Sequence, residues 1–225
     1  MRIFLVFVIA ILASPVLAQG RITVVGQGMV AGVPDMATVF MGISVEEKTS
    51  EKALDAVSAA VDKMTGTLGR FDIAARDIQT SGLNLSPRWN NSSSSSDARL
   101  VGYFASISLS VRVRDLDRLG RILDAVVTSG ANQFHGLEFG LQNPGPALDE
   151  ARRMAVRDAR RKAELYAEAA GVGLGTVLSI SEPSAPEAGP VMMRETAALV
   201  LDAVPVSEGE VSTNAAITIV FEILP

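Results

Sequence analysis

The chain has 225 residues, with 25 acidic against 20 basic side chains and a net charge of −5. That balance argues against nucleic acid as the main partner, because a phosphate backbone demands clustered Lys and Arg. There is no cysteine and only one histidine, His135, so disulfides, thiol nucleophiles, redox pairs and soft metal sites are excluded.

The first residues read as an export signal. Arg2 gives a positive start, Ile3 to Ala13 form an apolar run, Ser14-Pro15 break it, and Val16-Leu17-Ala18 offer small residues for a signal peptidase. Cleavage is expected before Gln19, making residues 1–18 a leader and 19–225 the mature chain. A spanning helix needs roughly 20 apolar residues, and this run is shorter and ends at proline. A lipid-anchored product would need an N-terminal cysteine. The expected location is the periplasm of a Gram-negative bacterium, with a mature protein not integral to the membrane.

A first strand is expected at 21–30, followed by the turn Val33-Pro34-Asp35. Residues 37–46 alternate, with Ala37, Val39, Met41, Ile43 and Val45 on one face. Thr49 or Ser50 caps a helix whose stripe is Leu54, Val57, Val61, Met64 and Leu68, ending near Gly69. A strand at 77–88 and one from Val101 to Val113 flank a loop of five serines and are expected to form a long antiparallel hairpin. Asp115 caps a second helix with Leu116, Leu119, Ile122, Leu123 and Val126 inward, stopped by Gly130. A strand at 133–141 and the turn Asn143-Pro144-Gly145-Pro146 lead to the longest helix, 147–170. Its inner face reads Leu148, Ala151, Ala155, Ala159, Ala163, Tyr166 and Ala170. Strands at 174–182 and 211–224 complete the chain, separated by an aperiodic segment at 183–210.

This order predicts an α+β fold, mainly antiparallel sheet packed with about three helices. A strand–helix–strand pattern occurs twice, at 37–88 and 101–141, matching in pattern and not in identity. The final strand or the 21–30 strand is the expected sheet edge.

A set of short motifs falls in this order: Gly26-Gln27-Gly28, Val33-Pro34-Asp35, Asp77-Ile78-Gln79-Thr80, Gly102-Tyr103-Phe104-Ala105 and Val113-Arg114-Asp115-Leu116. Glu150-Ala151-Arg152, Arg161-Lys162-Ala163, Gly171 to Gly175 and Pro205 to Glu210 follow. Together they resemble the SIMPL-domain family, which includes bacterial periplasmic immunogenic and oxidative-stress defence proteins. The resemblance covers about 21–224 and implies an exported, envelope-associated protein. Some members are linked to lowering oxidative stress, and oligomeric assemblies are known among them. It supplies no catalytic residue. Ser207 stands where a second proline is common, and the serine loop is particular to this chain.

Read individually, the candidate sites are sparse. Gly171-Val172-Gly173-Leu174-Gly175 follows a helix and precedes a strand, the reverse of a phosphate-cradling loop, and reads as a helix stop. His135 alone builds neither a metal site nor a triad. Arg153, Arg157 and Arg161 share one helix face, either solvated or a basic ridge for an acidic partner or anionic headgroups. Glu164 is placed to pair with Arg160. Trp89, the only tryptophan, either anchors a subunit contact or covers the sheet end. Met192, Met193 and Leu199 lie in the apolar, aperiodic part of 183–210, which suits a partner surface.

The reading is a non-enzymatic envelope protein that self-assembles or binds other envelope proteins, with no cofactor, metal or catalytic residue expected. Two alternatives stand beside it. One is a module binding a small ligand or peptide between the sheet and the 183–210 loop. The other is an enzyme using carboxylates such as Asp35, Asp77 or Glu150, which would need two of them together in a cleft.

Overall fold

The computed structural model describes residues 20–90, 99–183 and 207–225. The expected leader, the serines of the loop, and Met192, Met193 and Leu199 lie outside these residues. The elements follow the expected order: β1 (Arg21–Gly32), β2 (Met36–Glu47), α1 (Ser50–Arg70), β3 (Ile78–Asn90), β4 (Arg99–Val113), α2 (Leu119–Ser129), β5 (Gln133–Gly140), α3 (Gly145–Ala170), β6 (Gly173–Ser181) and β7 (Val211–Leu224).

The strands form two sheets, ordered β1-β7-β6 and β3-β4-β2-β5. Two compact units result, one built from residues 20–28, 152–183 and 215–225, the other from 29–151 with 207–214. The final strand is therefore central, and of the two strands expected as edge candidates it is the 21–30 strand that takes an edge. The final strand's inward residues Ala215, Ile217, Ile219 and Phe221 are buried, and β1 and β6 take the edges.

The larger unit contains β2-α1-β3-β4-α2-β5. The two repeated strand–helix–strand stretches interleave: β3 pairs with β4 and β5 with β2, so neither stretch closes on itself. At the centre β2 and β4 run antiparallel with Ala37 opposite Val113, Val39 opposite Val111 and Met41 opposite Leu109. All six are buried. Against them pack Val57, Met64 and Leu68 of α1 and Leu119, Ile122 and Val126 of α2. The buried face of α1 takes Ala53 and Thr67, while Leu54 is only half-buried.

All three helices end by the same backbone device. Gly130 (φ 126°) and Gly171 (φ 69°) take the left-handed conformation that a residue without a Cβ adopts freely. The first helix runs past Gly69, and Asp72 (φ 63°) takes the equivalent place, with the Ile73 N–H donating to the Leu68 carbonyl at 3.2 Å. At its start Thr49 Oγ1 accepts from the Lys52 N–H at 3.3 Å, as expected. Asp115 does not cap α2 with its side chain; a short 3-10 turn, Leu116–Arg118, intervenes.

In the smaller unit α3 approaches β1 so closely that a side chain at Gly26 has no room. A Cβ there would overlap the Ala155 carbonyl oxygen and come within 2.7 Å of the Ala159 Cβ. The buried row on α3 is Ala151, Ala155, Ala159, Ala163 and Ala167. Tyr166, expected inward, is exposed, because the row continues in steps of four to Ala167. Gly26→Ala should cost roughly 2 kcal/mol or more in urea unfolding through overpacking. Gly66→Ala, at an open position on α1 with no atom within 4 Å of the new Cβ, should add about 0.5–1 kcal/mol. A neutral Gly26→Ala would contradict the close packing.

Candidate functional site

Three of the motifs converge at one end of the four-stranded sheet. Arg114, just after β4, donates from Nε to Asp77 Oδ2 at 3.0 Å and from Nη2 to Asp77 Oδ1 at 2.7 Å. Its Nη1 reaches Gln142 Oε1 at 3.2 Å. Gln142 in turn donates its backbone N–H to Asp35 Oδ1 at 2.6 Å and its side-chain amide to the Asp35 carbonyl at 2.8 Å. Asp77 is buried and Arg114 half exposed. The forked bond from Arg114 outweighs the penalty of burial and holds the Asp77 carboxyl below the usual carboxylate range; Asp77 raises Arg114 in return. The network ties the segments before β2 and β3 to those after β4 and β5. Asp35 and Asp77 thus both serve structural bonds and do not form a facing pair of carboxylates.

A second clamp joins α3 to β1. Asp158 Oδ2 accepts from Lys162 Nζ at 2.7 Å and from the Gln27 N–H at 3.0 Å, and its Oδ1 accepts from Arg161 Nη2 at 2.7 Å. Lys162 Nζ also donates to the Val25 carbonyl at 2.9 Å. These bonds, led by that from Lys162, hold the Asp158 carboxyl far below its ordinary value. Arg161, a member of the expected basic ridge, is thereby paired, and Asp158 bears no mark in the sequence. Its partners are a helical turn away and 131 residues away. Arg153, Arg157 and Arg161 are all exposed on one face of α3, with Arg161 paired to Asp158 and Arg160 to Glu164 at 3.1 Å. His135 is exposed on β5. Among the described residues no group of three His, Asp or Glu side chains is arranged to hold a metal ion.

Trp89 stands apart from these structural joints. The β2–β4 ladder stops at Glu47 opposite Tyr103, whereas the β3–β4 ladder continues through Arg88, Trp89 and Asn90. The last pairs of the expected hairpin therefore form a ribbon of only two strands. Trp89 lies opposite Leu100 there and is 54% exposed, and Leu100 and Val101 are exposed beside it. Leu83 and Leu85 of the edge strand β3, opposite Ile107 and Ala105, are exposed as well, on the face of the sheet to which Ala105 and Leu109 point and not on that of Leu100. Just below, Arg88 of β3 meets Glu46 of β2 at 2.7 Å across β4. Gly102 fits where its Cβ would lie 2.7 Å from the Glu47 carbonyl oxygen. An exposed tryptophan with aliphatic neighbours on a marginal ribbon is equipped for contact with another macromolecule.

The glycines at 171–175 serve turning and close packing. Gly171 ends α3, and a Cβ on Gly175 would come within 2.8 Å of the Glu222 Cβ. Among the described residues no helix is long and apolar enough to cross a membrane.

The profile of the SIMPL family, described as a protein of unknown function (DUF541), matches residues 22–221. A 26 kDa periplasmic immunogenic protein of Brucella melitensis biotype 1 is 38% identical over 211 residues, covering 90% of this chain and 84% of that protein. The uncharacterized protein YggE of Escherichia coli (strain K12) is 30% identical over 192 residues, covering 85% and 76% respectively. YggE of Edwardsiella ictaluri is 33% identical over 155 residues, covering 69% and 64%.

Asp77→Asn removes charge while keeping shape and should lower stability at pH 7 by about 1–2 kcal/mol. The folded pKa of Asp77 is depressed. Its contribution is therefore complete above the unfolded value of about 3.9 and is lost as pH falls through the lower folded value. Urea midpoints of wild type and D77N should converge below about pH 4; a gap constant down to pH 2 would show that the charge is not the cause.

Proposed function

The chain belongs to the SIMPL family, and from that premise we propose that it is a periplasmic envelope protein that works without covalent catalysis. It acts by assembling with copies of itself or by contacting other envelope proteins, and it contributes to envelope or oxidative-stress defence. The single observation carrying this reading is the exposed Trp89 ribbon with its aliphatic neighbours. A buried aromatic anchor at a subunit contact often dominates the binding energy.

Other features support it. A relative carries the periplasm in its name, and the leader-like run at residues 1–18 agrees with export. The carboxylates singled out as acid–base candidates are engaged elsewhere: Asp77 by Arg114, Asp35 by Gln142, and Glu150 in an interaction of its own. A general base working near neutral pH needs a pKa near the operating pH, and Asp77 is shifted the other way. Any direct reaction with oxidant would fall on methionine, and Met29 and Met154 are exposed.

Light scattering on the mature protein at two concentrations tests assembly. A discrete mass above that of one chain should survive dilution, and Trp89→Ala should weaken association by roughly tenfold or more. A wild-type monomer, or a mass and dilution profile indifferent to the substitution, would overturn the assembly reading at this surface. Deleting the gene and measuring survival in hydrogen peroxide tests the stress component. Reduced survival restored by the wild-type protein is expected, and unchanged survival would remove that component.

A further inference from the structure

Residues of α1 and α2 line an open groove of about 480 Å³ that none of the preceding roles uses. A Cβ added to Gly130, at the end of α2, would lie 3.9 Å from the Ala60 Cβ in the middle of α1. Arg118, just before α2, lies over the ring of Phe71 just after α1. The helices therefore run antiparallel. Arg70 faces the start of α2, which carries Arg121, while Lys63 lies nearer Thr128. Three cations thus line the groove against one carboxylate, Asp124. Among the described residues none of the three is in an ion pair. In a chain of net charge −5, this is a local reversal of sign.

The hydroxyls of the groove are oriented by their own helices. Thr67 Oγ1 donates to the Lys63 carbonyl at 3.0 Å and accepts from Arg70 Nη2 at 3.0 Å. Thr128 Oγ1 donates to the Asp124 carbonyl at 3.0 Å, and Ser129 Oγ donates to the Val126 carbonyl at 2.9 Å. Their protons are held by the backbone, so what remains for a ligand is acceptor lone pairs. Asp124 adds further acceptors. The groove therefore offers cationic donors for an anionic group together with acceptors for neutral hydroxyl groups. Phe71 also lines the groove, its ring covered on one side by Arg118.

We propose that this groove binds an anionic saccharide, a sugar carrying phosphate or carboxylate beside free hydroxyls. Lys63, Arg70 and Arg121 hold the acid group, and the threonine, serine and Asp124 oxygens take the hydroxyl protons. The groove shares no residue with the Trp89 ribbon.

The test is an amide NMR titration of the full mature protein with glucose 6-phosphate, glucuronate, inorganic phosphate and glucose. Amides of residues 63–71 and 121–129 should shift with an anionic sugar. A response to glucose 6-phosphate alone or to glucuronate alone identifies the acid group, and a response to both supports the shared chemistry. Lys63→Ala combined with Arg121→Ala should weaken binding by about tenfold, and Asp124→Ala, which removes hydroxyl acceptors, should weaken it about threefold. Lys63→Arg with Arg121→Lys should retain binding, and thermal melts of each variant check that the fold persists. Absence of shifts with both anionic sugars would overturn the proposal. So would binding that survives loss of both cations, or glucose or inorganic phosphate binding as tightly as the charged sugars.

Discussion

The register of β2 against β4 is the constraint on which the larger unit depends. Both strands alternate, and their inward residues face each other in directly opposed pairs from Ala37 and Val113 onward. A slip of one residue would turn Met41, Ile43 and Leu109 to the opposite face and leave α1 and α2 without an apolar surface to cover. The edge strands are placed by the same ladder, since β3 adds to the free side of β4 and β5 to the free side of β2. The ion-pair network around Arg114 then closes one end, where Ala37 and Val113 lie next to the turns that carry it.

The motifs that mark the family are, in this chain, joints of the fold. Asp35, Asp77 and Arg114 meet in one network. Gly26 and Lys162 join β1 to α3, Gly102 admits the chain leaving β2, and Gly171 ends a helix. In a protein without a disulfide, stability comes from burial and hydrogen bonding, and these contacts fix where buried surfaces meet. Family likeness therefore reports architecture, and chemistry must be sought on surfaces outside the motifs.

Local patterns made most of this fold legible. The alternation in β2 and β4 and the stripe on α2 largely reappear, with Leu116 falling in the 3-10 turn and Val101 exposed, because a strand or helix facing one apolar layer imprints its period on the sequence. Small and polar residues blurred the pattern elsewhere. Ala53 and Thr67 are buried on α1 although neither marks an apolar stripe, and Tyr166 drew attention from Ala167. Strand order is not a local property, so the interior position of β7 was not readable. Of the candidate surfaces, Trp89 was legible from composition and its place by the loop. Asp158 was not, since its importance lies in the Gln27 N–H on a distant strand. The groove between α1 and α2 was hidden too, because it exists only once the two helices lie antiparallel.

The clamp on β1 has a bearing on fibre formation. A bare sheet edge invites another strand, and a sheet with two such edges can grow without limit. At β1 the Val25 carbonyl and the Gln27 N–H are occupied by Lys162 and Asp158, so an incoming strand would have to displace a charged pair. The opposite edge is β6, with Val177, Leu178 and Ile180 exposed. Were two copies to join through this sheet, they would meet β6 to β6 about a two-fold axis and stop there, a closed dimer in place of an endless cross-β ladder.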